Sequence, residues 1–162
     1  MKIHRAEKFS PLTYRLPRQR LFPPMPVQSE TPTELSPREQ RDLDIEIGFF
    51  EGLVRRDARD VEVLQALGDD YTHRGRFEDG LSVDRQLAVL LPDSALVHYN
   101  LACSFSLTGR LEEGIVALNR AADLGYDDTE WLLSDRDIER LWEHPQFAKV
   151  LARMRKLAKA RA

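Results

Sequence analysis

The chain predicts an all-α fold, a short solenoid of antiparallel helix pairs. Three observations lead there. Residues 61–94 and 95–128 repeat one another with a period of 34. Apolar residues recur at three- and four-residue spacing along each long segment after residue 36, the mark of helices with one buried face. Prolines and glycines stand where those helices should start and stop. Nine positions are identical across the repeat: Val63/Val97, Leu67/Leu101, Gly75/Gly109, Arg76/Arg110, Glu78/Glu112, Gly80/Gly114, Ala88/Ala122, Leu90/Leu124 and Asp93/Asp127. A fixed period of roughly 20–50 residues marks stacked supersecondary units that bury a core only together.

Residues 1–35 form a basic arm. Pro11, Pro17, Pro23, Pro24, Pro26 and Pro32 interrupt any regular element. The arm therefore reads as extended or disordered. It nevertheless spreads apolar residues along its length, and Phe9, Tyr14, Leu21 and Phe22 are its candidate anchors on a partner. A half repeat follows over 36–60. Ser36-Pro37-Arg38-Glu39 gives it a capping residue, a proline suited to the first helical turn and the glutamate of a capping box. Leu43, Ile47, Phe50 and Val54 form its apolar stripe.

The full repeats span 61–94 and 95–128. In the first, Leu64, Leu67, Gly68 and Tyr71 mark one helix. Gly75 turns the chain, Phe77, Gly80, Leu81, Leu87 and Leu90 mark the second helix, and Pro92 ends it. Gly68 and Gly80 fall where two helices must approach closely. Residues 129–162 form a cap with a basic tail. Trp131, Leu132, Leu133, Ile138, Leu141 and Trp142 are expected to cover the last apolar face. A final helix begins near Pro145 and carries Phe147, Val150, Leu151, Met154 and Leu157.

This pattern resembles the tetratricopeptide repeat, a 34-residue helix–turn–helix unit. The matching residues are Leu64, Leu67, Gly68, Tyr71, Gly75, Phe77, Gly80 and Pro92, then Leu101, Ala102, Phe105, Gly109, Leu111, Gly114, Leu118 and Ala121. Asp84, Leu87, His98 and Tyr126 depart from the family pattern. The stretch from Leu124-Gly125-Tyr126 through Trp131, Asp135, Asp137, Leu141, Pro145, Phe147 and Leu151 is similar to the segment closing some arrays of this family. The resemblance covers roughly residues 40–155. It implies a concave groove lined by the first helix of each repeat. Its groove positions fall on Glu62, Gln65, Asp69, Thr72 and His73, then Leu96, Tyr99, Cys103, Ser106 and Leu107. The family's chaperone-tail groove holds a carboxylate with lysine and asparagine. Asn100 matches one such position, but Gln65 and Asp69 replace the others, and Asp69 would repel the carboxylate. The expected ligand is a neutral or basic segment.

Charge is strongly segregated. The net charge is −3. Residues 1–29 carry six basic side chains against Glu7, and 145–162 carry six against none, so the lysine-free body between them holds −14. Basic ends can aid solubility, bind an anionic surface such as nucleic acid, or dock on an acidic one. With 42% hydrophobic and 31% charged residues the composition is that of a soluble domain. No apolar run is long enough to cross a bilayer. The first residues lack the apolar core of a secretory signal, so a cytoplasmic location is expected. Cys103 alone makes no internal disulfide.

No catalytic constellation emerges. His4, His73, His98 and His144 form no metal-binding pair, and no cofactor or metal is expected. The glycines belong to turns and helix contacts rather than to a phosphate loop. Asp69-Asp70, Asp127-Asp128 and Asp135/Asp137 read as helix caps. The expected function is a non-enzymatic protein-interaction module, an adaptor or accessory subunit that takes a partner segment by groove or arm. Nucleic-acid or anionic-surface binding through the basic ends is the alternative.

Overall fold

The computed structural model describes residues 35–161, and the proposed anchors Phe9, Tyr14, Leu21 and Phe22 lie outside them. The described residues form an all-α array of antiparallel helix pairs and contain no strand. Its helices are α1 (Pro37–Val54), α2 (Val61–Arg74), α3 (Phe77–Leu90), α4 (Ala95–Leu107), α5 (Leu111–Asp123), α6 (Thr129–Ser134), a 3-10 helix at Arg136–Leu141, and α7 (Phe147–Arg161). Short connections fold each helix back on its predecessor, so α1 packs on α2, α2 on α3, α3 on α4 and α4 on α5.

Local chemistry sets these boundaries. The α1 capping box is complete: the Glu39 amide donates to Ser36 Oγ at 3.3 Å and the Ser36 amide to the Glu39 carboxylate at 2.8 Å. Asp60, Ser94 and Asp128 cap α2, α4 and α6 by the one-way bond, their side chains accepting the Val63, Val97 and Trp131 amides. Asp69 and Asp70, expected as caps, instead lie inside α2, because Asp60 already starts that helix nine residues earlier. α2 ends on a left-handed Gly75 with φ 79°. The following amide, Arg76 N–H, donates back to the Tyr71 carbonyl at 2.7 Å. Only glycine adopts that backbone without strain.

The core has two parts. Ile47, Leu64, Leu67, Tyr71, Val83, Leu87 and Val97 join α1, the first repeat and the start of α4. The larger part runs from Leu81 through the second repeat to Leu132, Ile138, Leu141, Phe147, Val150 and Met154. The cap is therefore continuous with the repeat core. A Cβ on Gly114 would sit 3.0 and 3.1 Å from the Leu141 methyls, so glycine is what lets the cap close on α5. Of the expected covering residues, Leu132, Ile138 and Leu141 are fully buried and Trp131 and Trp142 half-buried. Leu133 is instead exposed, because short α6 turns Leu132 and part of Trp131 toward the core and leaves Leu133 facing away.

Candidate functional site

The groove positions divide sharply between repeats. On α2, Gln65 and Asp69 are half-buried, while Glu62 and His73 are exposed. Thr72 turns aside: its hydroxyl donates to the Gly68 carbonyl at 3.0 Å and lies where a Cβ on Gly80 of α3 would touch it. The Nε2 of Gln65 is buried with no hydrogen-bond partner. On α4, Leu96 and Leu107 are half-buried, whereas Tyr99, Cys103 and Ser106 are buried. These last three do not form an open groove wall, because the 3-10 helix packs directly over α4.

Asp135 holds that contact. It starts the 3-10 helix by accepting the Asp137 amide at 3.0 Å. Its other oxygen accepts the Tyr99 hydroxyl at 2.8 Å and the Cys103 thiol at 3.7 Å. Tyr126 stacks on Tyr99 with ring centroids 4.3 Å apart. Burial, reinforced by Cys103 and Asp135, pushes the Tyr99 phenol far above its ordinary range, so Tyr99 stays a neutral hydrogen-bond donor to Asp135. The repeat alignment does not reveal this role. The one available signal is the Asp135-Arg136-Asp137 sequence, whose first aspartate is a helix cap and also reaches inward.

The open strip on α2 is acidic. Asp70 lies beside it with Oδ2 buried and lacking a hydrogen-bond partner. Burial, then the charge of Glu46 and in lesser part that of Asp69, raise its carboxyl to about 6, with His73 acting in the opposite sense. Three carboxylates thus converge where α1 meets α2. The elements flanking this strip are pinned by ion pairs between repeats: Arg74 to Asp44 at 2.7 Å and Arg110 to Glu78 at 3.0 Å. At the far end of α4 a cavity of about 370 Å³ lies between Ser106, Leu107, Arg136 and Arg140. The buried Ser106 hydroxyl finds no partner there. Among the described residues no group of three or more His, Cys, Asp or Glu side chains is arranged to hold a metal. No described helix is long and apolar enough to cross a membrane.

No family model matches the chain. Over 87 residues it is 28% identical to a chloroplastic protein of Arabidopsis thaliana; the match covers 52% of this chain and 26% of that protein. The chain thus spans about a quarter of the length of that relative. Among solved structures it is similar to MamA, with 22% identity and a TM-score of 0.48, over 76% of this chain and 81% of the other.

Proposed function

We propose that the chain is a non-enzymatic interaction module, an adaptor or accessory subunit, and that Gln65, Asp69 and His73 on α2 take a neutral or basic partner segment. The observation that carries this reading is the raised Asp70 carboxyl. Burial is the largest cause, the charges of Glu46 and, less, of Asp69 add to it, and His73 opposes them. A cationic side chain laid along α2 would relieve that repulsion. Leu96, half-buried at the start of α4, offers the apolar contact such a segment needs, while Tyr99 and Cys103 hold the cap through Asp135. The arm adds a second hold through Phe9, Tyr14, Leu21 and Phe22.

The test is capture of partners from native extract, identified by mass spectrometry. Full-length chain, Asp69→Lys and a variant with the four arm anchors changed to alanine are compared. Asp69→Lys should weaken binding of the captured partner by more than the roughly 1 kcal/mol of a rim charge. Unchanged capture by Asp69→Lys removes the groove reading, and unchanged capture by the arm variant removes the arm. The second reading, binding to an anionic surface, draws on α7, where Lys149, Arg155, Lys156 and Lys159 are exposed and no acidic residue intervenes. Capture that disappears with nuclease and falls steeply with salt would favour it.

A further inference from the structure

The back of α1 is apolar where the fold gives it no reason to be. Ile45 and Phe49 are 72% and 61% exposed. At 100° per residue both lie on the side of α1 opposite buried Ile47, which faces the core. Exposed Val116 stands alone on α5, and Phe77 and Val89 lie at opposite ends of α3, but Ile45 and Phe49 occupy successive turns and form a patch. The Phe49 ring is held against half-buried Phe50, with centroids 5.7 Å apart, so it is anchored beside the patch. Gly52 shares this side, and Gly48 lies on its flank. A Cβ on Gly48 would meet nothing within 4 Å, and one on Gly52 would meet only the Arg55 side chain at 3.7 Å. Interior helix glycines weaken a helix relative to alanine. Gly68, Gly80 and Gly114 repay that by close packing inside the chain, and Gly48 does not.

The pattern of knobs and hollows is complementary to itself. We propose that α1 pairs with α1 of a second copy of this chain, antiparallel and about a two-fold axis. In that arrangement Phe49 falls opposite Gly48 of the second copy and Ile45 opposite its Gly52, each contact occurring twice. The glycines let the two helices approach as closely as packed helices do. The same register sets Asp42 opposite Arg55 of the second copy and within reach of its Arg56. Asp42 is 66% exposed, and its ion pair among the described residues is with the still more exposed Arg38, at 3.7 Å. Arg41 and Arg56 of opposing copies meet at the rim, where solvent screens them and Asp42 lies between. The capped C-terminal end offers no such pair, since Leu133 is the one large apolar side chain that its described residues leave exposed. This inference concerns a different face from α2 and stands independently of the partner-binding reading.

Sedimentation of the full chain over a range of concentrations tests it. The wild type should be a reversible dimer. Phe49→Asp should raise the dissociation constant at least about tenfold. Its helical content should not change, because Phe49 is largely exposed. Register is tested by oxidation of single-cysteine variants. A mixture of Ile45→Cys and Gly52→Cys chains should form a disulfide-linked dimer, and Ile45→Cys alone should not. Cys103 is 3% exposed and leaves the introduced thiol as the reactive one among the described residues. A wild-type chain that stays monomeric at about 100 µM overturns the proposal and leaves the face to a foreign partner. So does a dimer that Phe49→Asp leaves intact, or cross-linking of Ile45→Cys alone that matches the mixture.

Discussion

The first and second repeats share nine identical residues, yet their corresponding groove positions stand in opposite surroundings. Gln65 and Asp69 on α2 retain a share of solvent, while their counterparts Tyr99 and Cys103 on α4 are buried against Asp135. Helix geometry is the same in both, so the repeat does not decide the outcome. The next element does. The 3-10 helix packs over the side of α4 that carries Tyr99 and Cys103. In a short array the capping segment therefore determines how many repeats remain free to bind.

The sharpest way to break this comparison is to loosen the cap. Leu141 is fully buried and closes against Gly114. Leu141→Ala should cost about 3 kcal/mol, from lost burial and the cavity left behind. Both tryptophans, Trp131 and Trp142, lie in the cap, so their fluorescence reports on it alone. Far-UV circular dichroism reports on the whole solenoid. If the cap belongs to the core, both signals should move together to lower denaturant concentration. A tryptophan transition that runs ahead of the helical one would mean that the cap opens by itself and that Tyr99 and Cys103 become groove residues on opening.

A smaller effect sharpens the same contrast. Asp135→Ala leaves the Tyr99 hydroxyl and the Cys103 thiol without their shared acceptor and the Asp137 amide uncapped. The expected cost is about 2 kcal/mol, read by chemical denaturation. Asp69→Ala, on the more open strip of α2, should stay within about 0.5 kcal/mol. Equal costs would mean that the two repeats are not used differently.

What the sequence reveals follows from how local each cause is. The 34-residue period, the capping box at Ser36 and the turn at Gly75 depend on neighbours a few residues away, and all can be seen in the letters. Thr72 could not be placed, because its back-bond to Gly68 competes with a groove-facing posture. The burial of Tyr99, Cys103 and Ser106 could not be seen either. It depends on Asp135, Ile138 and Leu141 arriving from some thirty residues downstream, which no spacing rule within a repeat encodes. The aspartates at 69 and 70 misled for a related reason: adjacent acids resemble a cap, but the true cap at Asp60 shifts them to mid-helix.

That misplacement has a measurable consequence, and it falls on the first repeat alone. Asp70 is partly buried in α2 among Glu46 and Asp69, and its carboxyl is raised to about 6 from an ordinary 3.8. Between these two values the folded chain binds more protons than the unfolded one. Stability from this group is thus greatest below about pH 4, falls as pH rises to about 6, and stays low beyond. Asp70→Asn removes the ionisation while keeping the shape. It should stabilise the chain at pH 7 by about 1 kcal/mol, well below the full value of the shift because solvent reaches much of the side chain. The gain should vanish near pH 4, where wild type and variant are both neutral. Thermal unfolding of the pair at pH 4, 5.5 and 7 would read it directly. A gain that persists unchanged at pH 4 would assign the strain to shape rather than charge, and the acidic strip on α2 would lose its main support as a site for a basic segment.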